Sequence, residues 1–394
     1  MKNANVLVSG ASVAGPALAY WLNRYGFNVT VVERAPDLRP GGQAIDVRGP
    51  ALEVAERMGL LPEIRQLATD IRGMTVVGES GQELYSSTEQ TFTGGRIDNP
   101  DVEIMRDDLC SVIHRATEDN VRYLFNDSIT SITQDEDRGV HVTFERSDPR
   151  DFDLVVGADG LHSNVRKLAF GPESDYIHHL GSYLGLFTAP NFLDLDYWQI
   201  YHQSRELGGI IMSARNNTES RVYLGFQQAD PLEYDYRDIQ SQKRLLADRF
   251  ANAGWEFPRA LKYMWDAPDF HFDSLSQIRM NRWSQGRVVL LGDAGYCGSP
   301  MTGQGTSLAL IGAYVLAGEL KAARGDHLAA FAAYEQELRE HVAGTQQLAL
   351  DNKERMEEAT AATSQDESEL AQAIGDRDMR EFYEFINSLT LKKY

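Results

Sequence analysis

A turn of small residues near the amino terminus has the composition of a phosphate-binding site. Residues 10–15 read Gly-Ala-Ser-Val-Ala-Gly, which is the Gly-x-Gly-x-x-Gly pattern of dinucleotide-binding proteins with Ser12 in place of the middle glycine. The glycines of that pattern allow a tight turn, a close approach to a pyrophosphate and close packing of helix on strand. Serine is small and its hydroxyl can donate to phosphate. We therefore predict dinucleotide binding, with an ordinary glycine turn as the alternative.

The residues on either side of this turn predict a strand–helix–strand unit that would position it. Residues 6–8 are apolar, residues 13–25 have a helical pattern, and residues 29–32 are rich in valine, as in a βαβ unit of about 30 residues. The second strand ends at Glu33, where a carboxylate can accept hydrogen bonds from ribose hydroxyls.

Two later segments resemble motifs of the class A flavoprotein monooxygenases, the aromatic hydroxylases similar to para-hydroxybenzoate hydroxylase. Residues 153–166 read Asp-Leu-Val-Val-Gly-Ala-Asp-Gly-Leu-His-Ser-Asn-Val-Arg and resemble the Asp-Gly motif, which in that family serves both FAD and NAD(P)H. Residues 286–294 read Gly-Arg-Val-Val-Leu-Leu-Gly-Asp-Ala and resemble the Gly-Asp motif. Residues 299–307, Ser-Pro-Met-Thr-Gly-Gln-Gly-Thr-Ser, resemble the family's Pro-x-x-Gly-x-Gly stretch.

The side chains of the last two motifs suit a flavin. Asp293 ends a predicted strand, where its carboxylate can accept hydrogen bonds from a ribityl chain, although a helix N-cap is the alternative role. Gly303 and Gly305 precede a predicted helix, so unpaired backbone N–H groups would point at the ligand. A helix N-terminus stabilises the negative charge of a reduced flavin, and Pro300 can lie beside the ring.

Two shorter matches extend the resemblance. Residues 41–48, Gly-Gly-Gln-Ala-Ile-Asp-Val-Arg, are similar to the loop that passes the flavin ring in tetracycline-inactivating monooxygenases and polyketide hydroxylases. Gln43, Asp46 and Arg48 are therefore expected to touch the ring or the substrate, unless they are simply polar loop residues. Arg106 resembles the family's arginine near the ribityl and phosphate groups, with an ordinary surface arginine as the alternative.

The resemblance implies the following site residues. The expected cofactor-binding residues are Gly10, Ser12, Val13, Ala14, Gly15, Glu33, Arg34, Gln43, Asp46, Arg106, Asp159, Gly160, Arg166, Asp293, Pro300, Gly303, Gly305 and Thr306. The residues expected near the substrate are Arg48, Phe187, Arg205, Met212, Tyr223, Gly225 and Pro300. Because the flavin carries the chemistry, no protein side chain is assigned as catalytic. The histidines show no metal-ligand spacing, so no metal is expected.

The predicted fold is an α/β, Rossmann-like FAD-binding domain with an inserted substrate-binding sheet and carboxyl-terminal helices. We expect the FAD-binding domain to be discontinuous, over residues 1–72, 101–175 and 276–325. Residues 73–100 and 176–275, with alternating runs between 183 and 228 typical of antiparallel strands, would form the substrate-binding domain. Residues 326–394 would be helical, with a polar break at 359–368 and a last helix over 369–389.

Composition excludes several other classes of protein. The formal net charge is −20, and an acidic surface repels both nucleic acid and anionic lipid. Two distant cysteines argue against a disulfide framework or a dithiol centre and favour the cytoplasm. Residues 4–22 imitate a signal peptide, but glycines, serines and a proline interrupt the apolar run. We expect neither a nucleic-acid nor a membrane partner, and a monomer or weak dimer.

The resemblance implies an NAD(P)H- and O2-dependent monooxygenase with non-covalent FAD, which hydroxylates an aromatic or polycyclic molecule of tetracycline or polyketide type through a flavin hydroperoxide. NADPH or NADH would bind transiently, because no second dinucleotide pattern follows a strand. Two alternatives stay open: an FAD-dependent reductase or dehydrogenase of the same fold, and a non-enzymatic flavin-binding sensor.

Overall fold

The computed structural model describes residues 4–135, 139–204, 206–363 and 379–394. The strands are β1 (Asn5–Ser9), β2 (Asn28–Glu33), β3 (Ala44–Val47), β4 (Met74–Val77), β5 (Glu83–Ser87), β6 (Gln90–Thr91), β7 (Gly95–Arg96), β8 (Val102–Met105), β9 (Arg122–Phe125), β10 (Ile129–Asp135), β11 (Gly139–Phe144), β12 (Arg150–Phe152), β13 (Leu154–Gly157), β14 (Ile177–Pro190), β15 (Gln199–Gln203), β16 (Leu207–Ala214), β17 (Glu219–Gln227), β18 (His271–Ile278), β19 (Ser284–Gln285) and β20 (Val288–Leu290).

The helices alternate with these strands. They are α1 (Ala14–Arg24), α2 (Pro50–Met58), α3 (Leu61–Gln66), α4 (Arg106–Arg115), α5 (Asn164–Ala169), α6 (Ile239–Arg249), α7 (Phe257–Asp266), α8 (Asp293–Tyr296), α9 (Gly305–Ala322), α10 (His327–Thr363) and α11 (Arg380–Ile386). Short 3-10 helices cover Glu173–Asp175 and Pro300–Thr302.

The first domain is built on a six-stranded sheet in the order β19-β20-β13-β1-β2-β9. Its strands are parallel except β19, which pairs antiparallel with β20. Side chains of β1, β13 and β20 are almost fully buried, as expected of a parallel sheet covered on both faces. Helices α1 and α9 pack together, and the three-stranded sheet β10-β11-β12 forms a further layer. The predicted α/β, Rossmann-like class is confirmed.

The inserted domain is a seven-stranded sheet in the order β18-β14-β17-β16-β15-β4-β5. All neighbours are antiparallel except β15 and β4. Side chains alternate along each strand, so the sheet has two different faces. The outer face packs against α6 and α7 and includes Phe187, Val222 and Ile211. The inner face, which packs against Ala44 and Met105 of the first domain, includes Met212 and Tyr223.

The carboxyl-terminal part is helical, as predicted, but its helix boundaries differ from the prediction. Helix α10 runs without interruption to Thr363, so a break beginning at residue 359 was wrong, and its remainder lies outside the described residues. The predicted helix 369–389 also begins outside them, and its described part contains α11. Within the described ranges, no helix has both the length and the apolar character that crossing a bilayer requires.

Candidate cofactor and substrate site

Three sequence motifs meet at one edge of the parallel sheet. The glycine turn follows β1, the Asp-Gly segment follows β13 and the Gly-Asp segment follows β20. Ser9 pairs with Gly157, and Gly157 pairs with Leu290. Backbone bonds continue this arrangement, because Ala158 N donates to Ser9 O at 2.8 Å and Leu291 N donates to Gly157 O at 2.8 Å. Ligands of open α/β sheets bind at this carboxyl edge.

The glycine turn has the close approaches that exclude larger residues. Gly10 has φ +106°, and a Cβ atom there would lie 2.4 Å from the Ala158 carbonyl oxygen. A Cβ atom at Gly15 would lie 1.9 Å from the carbonyl oxygen of Gly10. Helix α1, which follows, has among the described residues no capping side chain and no acid in its first turn. Its first N–H groups are therefore suited to an anion.

Glu33 lies against this turn. One carboxylate oxygen accepts a hydrogen bond from Ala11 N at 2.8 Å, and the other accepts one from Ala35 N at 2.9 Å. The carboxylate is thus fixed beside the predicted adenosine end of the site. Ser12, the residue that departs from the pattern, lies with its hydroxyl 3.7 Å from the Cys110 thiol.

Arginines gather at the same turn. Arg106 begins α4, and its Nη2 donates to the carbonyl oxygens of Arg39 at 2.9 Å and Gly41 at 2.8 Å. Burial lowers the pKa of Arg39, as do the neighbouring charges of Arg106 and Arg34, while Glu33 opposes them. This positive charge suits a diphosphate. Arg39 was missed by the sequence reasoning, because it belongs to none of the motifs used.

The loop after Arg39 is held by both domains. Gly41 N donates to Asp107 of α4 at 2.9 Å, and the guanidinium of Arg221, from β17, donates to Gly42 O at 2.9 Å. Gly42 N also donates to Asp269 at 3.4 Å. Gln43, predicted to touch the cofactor, has its carbonyl oxygen bonded to Arg106 N at 3.0 Å. The loop therefore joins α4 of the first domain to the inserted domain.

Asp46 and Arg48 form a buried ion pair that faces the Pro-x-x-Gly-x-Gly stretch. Arg48 Nη2 lies 2.8 Å from Asp46 Oδ2, and the two side chains are 4% and 7% exposed. A Cβ atom at Gly303 would lie 3.6 Å from Arg48 Nη1 and 3.9 Å from Asp46 Oδ2. The backbone N–H of Arg48 donates a hydrogen bond to the hydroxyl oxygen of Ser307 at 3.1 Å. Both residues thus lie at the predicted flavin turn.

Two further carboxyl groups lie near this pair. Burial raises the pKa of Asp101 to about 6 and that of Glu103 to about 7, with Arg48 opposing each shift. Glu103 accepts hydrogen bonds from the hydroxyls of Thr69, at 2.6 Å, and Thr93. One guanidinium cannot balance three buried carboxylates, so the group holds a proton close to neutral pH. The sequence reasoning missed Asp101 and Glu103.

The Asp-Gly segment is directed into the protein. Asp159 accepts hydrogen bonds from Ser9 Oγ at 3.3 Å, from the Ser163 hydroxyl and from Val165 N at 3.1 Å. Gly160, with φ +82°, has open space beside its Cα. Arg166 is fully buried, and it donates to Ala294 O at 2.9 Å and to Glu173 at 2.7 Å. Arg166 was predicted to bind the cofactor, but it has no exposed surface, so its predicted role is corrected to that of a positioning residue, which acts through Ala294, next to Asp293.

The Gly-Asp segment faces the start of α9. Asp293 is the first residue of α8 and follows the N-cap Gly292, so the alternative role of an N-cap does not apply. A Cβ atom at Gly305 would lie 3.9 Å from Asp293 Oδ1. Burial raises the pKa of Asp293, and a hydrogen bond with Cys297 opposes the shift. Helix α9 has, in the described chain, neither a capping side chain nor an acid in its first turn, where Thr306 lies.

The turn between these elements is conformationally unusual. Ser299 has φ +81° and ψ +146°, a region that is almost restricted to glycine and costs about 1–3 kcal/mol for other residues. Pro300 is exposed and Gly303 is left-handed, with φ +60°. Strain of this size at a turn beside a ligand site is typical of a functional conformation.

Two glutamines hold this turn from behind. Gln277 Nε2 donates to Gly298 O at 3.2 Å and to Gln346 O at 2.7 Å. Gln346 Nε2 donates to Ile278 O at 2.7 Å and to Cys297 O at 3.3 Å. These four bonds tie the turn to β18 and α10, and we call them the glutamine clamp. Neither glutamine belongs to a recognisable motif.

The residues predicted to contact the substrate lie on different faces of the inserted sheet. Met212, Tyr223 and Gly225 belong to the inner face, where Tyr223 Oη accepts a hydrogen bond from Ala44 N at 2.9 Å. Met212 is fully buried in the inner-face cluster, so its predicted contact with a substrate stays a prediction. Phe187 was predicted to line the pocket, but it is fully buried on the outer face among residues of α6 and α7. The prediction was wrong, because neighbouring residues of a strand point to opposite faces and Phe187 points to the outer one. Phe187 is therefore a core residue. Arg205 lies outside the described residues.

The residues present fit an FAD molecule. The arginines and the α1 N-terminus lie where a diphosphate would bind, and Asp293 and the α9 N-terminus lie across the same edge. Asp46 Oδ1 and Gln304 Nε2 are buried without a hydrogen-bond partner among the described residues. An acceptor and a donor left in this state need a polar ligand or water. The edge of a flavin ring carries both N–H and C=O groups, which can satisfy them.

Comparisons with known proteins agree with this geometry. Residues 3–349 match the family model described as FAD binding domain. The chain is 56% identical over 347 residues to an uncharacterized protein of Mycobacterium tuberculosis, covering 88% of this chain and 93% of that one. It is 38% identical over 393 residues to a flavin-dependent monooxygenase of Legionella longbeachae, covering 100% and 99% of the two chains.

A solved structure is also similar over the whole chain. The crystal structure of tetracycline destructase Tet(51) superposes with a TM-score of 0.88 at 35% identity and covers 100% of both chains.

Proposed function

The chain belongs to the FAD binding domain family and is an FAD-dependent monooxygenase, and from this we propose that it uses NAD(P)H and O2 to hydroxylate an aromatic or polycyclic molecule of tetracycline or polyketide type. One observation supports this most directly. The three cofactor motifs meet at one sheet edge, and the inner face of the inserted sheet packs against the loop beside it. A bound flavin and a substrate on that sheet would therefore be neighbours.

When bound, FAD supplies the electron transfer and the oxygen chemistry. The protein's own groups have to bind, orient and exclude water. Ala11–Gly15 and the arginines would hold the diphosphate, and Asp293 the ribityl hydroxyls. The α9 N-terminus would stabilise negative charge on the pyrimidine edge. Glu103, whose pKa burial raises to about 7, is joined to Arg48 through Thr93 and is suited to exchanging a proton near the flavin turn.

The overall reaction would consume one substrate, one O2, one NAD(P)H and one proton, and would yield hydroxylated substrate, NAD(P)+ and water. Similarity to tetracycline destructase Tet(51) supports a tetracycline as the first substrate to test. A reductase or a flavin-binding sensor gains no support from the comparisons, because the characterised relatives are named monooxygenases.

Isotope labelling tests the proposal. The holoenzyme is incubated with labelled dioxygen, NADPH or NADH, and a panel of tetracyclines and aromatic polyketides, and the products are analysed by mass spectrometry. We expect one labelled oxygen atom in the product and faster NAD(P)H oxidation with substrate than without it. A product that gains or loses only hydrogen, with all label in hydrogen peroxide, would contradict a hydroxylase.

A further inference from the structure

An aromatic pair stands at the edge of the inner face. The ring of Phe92, just after β6, stacks on the ring of Tyr201 from β15, with centroids 4.1 Å apart and planes 15° from parallel. Tyr201 is 5% exposed, whereas Phe92 is 37% exposed. One face of the Phe92 ring is therefore covered by Tyr201, while more than a third of the Phe92 side chain stays exposed.

The position of Phe92 is fixed by the sheet. Gln199, two residues before Tyr201 and on the same face, is fully buried. Its Oε1 accepts hydrogen bonds from Phe92 N at 3.0 Å and Thr93 N at 3.5 Å, and its Nε2 donates to the Thr93 hydroxyl. An exposed aromatic residue is common on a protein surface. Phe92 differs from such residues because its backbone N–H is bonded to the buried side chain of Gln199, which holds Phe92 in a defined place.

That place is next to the flavin turn. Thr93 O accepts a hydrogen bond from Arg48 Nη2 at 3.0 Å, and Arg48 Nη1 is 3.6 Å from the Cβ position of Gly303. On the other side, Gln199 Nε2 lies 3.8 Å from Met212 Sδ, which is also 3.8 Å from the Tyr223 hydroxyl. Gln199 thus links the backbone of Phe92 to Met212, which in turn contacts Tyr223 on the same inner face.

We propose that Phe92 is a specificity-determining residue, whose accessible ring face stacks against a planar, fused-ring aromatic substrate with a polar edge directed toward Arg48. This inference rests on the proposed function and adds the shape of the substrate to it. Offset stacking of aromatic rings contributes binding free energy beyond that of simple burial. A flat, fused-ring ligand gains the most binding free energy because it can cover the whole Phe92 face. A single-ring phenol gains less, because it covers less of that face.

The test compares two variants with a matched control. Phe92→Leu keeps an apolar side chain but removes the ring, and Phe92→Tyr keeps the ring. Ile97→Ala changes another exposed apolar residue of the same segment, 40% exposed. For each holoenzyme, the Kd of tetracycline and of a single-ring phenol is measured by titration of the flavin absorbance. FAD content, thermal unfolding and substrate-free NAD(P)H oxidation are measured alongside.

We expect Phe92→Leu to raise the Kd of tetracycline about 3- to 10-fold, from the loss of ring stacking, and to change the Kd of the phenol less than twofold. Phe92→Tyr and Ile97→Ala should resemble the wild type, and Ile97→Ala should also leave substrate-free oxidation unchanged. An unchanged tetracycline Kd in Phe92→Leu, an equal rise for both ligands, or no tetracycline binding by the wild type would overturn the inference. The labelling experiment judges the proposed function separately.

Discussion

Asp293 is the side chain through which the Gly-Asp segment would act on a cofactor. It stands at the first position of α8, beside the start of α9. Replacing it by alanine should remove a charge-assisted hydrogen bond of about 1.5–3 kcal/mol and weaken FAD binding about 10- to 100-fold. Titration of apoprotein with FAD, followed by fluorescence quenching, measures this Kd.

Asp248→Ala, which removes an exposed carboxylate of α6, is the control for lost charge and should bind FAD normally. Wild-type affinity in a folded Asp293→Ala protein would remove Asp293 from the cofactor site.

Single residues were predictable from sequence where a motif demands a residue type. Gly10 and Gly15 are examples, because the close approach of backbone atoms excludes any side chain there. Arg39 and Gln346 were not predictable. Their partners are mostly backbone carbonyls or charges brought in by distant segments, and no spacing in the chain signals such a contact.

The glutamine clamp is a contact between elements, because it joins β18, α10 and the turn before α9. Gln346→Leu keeps the size of the side chain but removes the Gln346 amide donor from Ile278 O and from Cys297 O, of which Cys297 O still accepts Ile278 N at 3.1 Å. Each unsatisfied buried group costs about 1–3 kcal/mol. We expect a lower Tm and an FAD affinity reduced about tenfold, because the turn is no longer held.

The neighbouring variant Gln347→Leu is the matched control, since Gln347 is exposed on the same helix and donates to Asp351, at 2.8 Å, one turn away. It should keep both Tm and FAD affinity. If Gln346→Leu lowers Tm without any change in the FAD Kd, the clamp stabilises the fold but does not position the turn.

Element types followed from hydrophobic pattern, while their exact phase and ends did not. The valine-rich run of β2 and the helical pattern of α1 were both placed within a residue or two. Phe187 shows the difficulty in β14, where nearly continuous apolar residues hide which side chains point inward. The end of α10 shows a second difficulty. Alanine and glutamate favour a helix even where neighbouring polar residues suggest a break.

At the scale of the whole molecule, His162 joins the two domains. It lies in the Asp-Gly segment, 2.8 Å from Glu173, and it also lies 3.1 Å from Asp273 of β18. Burial alone would lower the pKa of His162, but the hydrogen bonds with Asp273 and Glu173 outweigh it and raise the pKa to about 10. An unfolded histidine has a pKa near 6.5.

This difference predicts a pH dependence of stability. Below about pH 6.5 both states carry the proton and the full stabilisation is present. As pH rises toward the folded pKa of about 10, the folded state alone still binds the proton, so stability is lost progressively. The Tm of the wild type should fall more steeply between pH 7 and 10 than that of His162→Gln. Parallel curves for the two proteins would show that His162 does not carry this charge.

The loop at Gly41 and Gly42 makes a second connection between the domains. Gly42 has φ +111°, and a Cβ atom there would lie 2.5 Å from Arg106 Nε. Gly42→Ala should therefore displace Arg106 and lower both FAD affinity and Tm. Gly26→Ala is a suitable control, because Gly26 has φ +85° but nothing within 4 Å of its Cβ position. An equal effect of the two changes on FAD affinity would mean that backbone strain alone is responsible.

The two-faced sheet of the inserted domain has a consequence for how such a protein can diverge. Residues that bind the domain together, such as Val222 and Ile211, alternate along the strands with inner-face residues such as Met212 and Tyr223. If the inner face lines the substrate site, as proposed, a mutation at one inner position alters which molecules are accepted while leaving the packing on α6 and α7 intact. Inner side chains can therefore be exchanged one at a time while the outer packing that holds the inserted domain together stays in place.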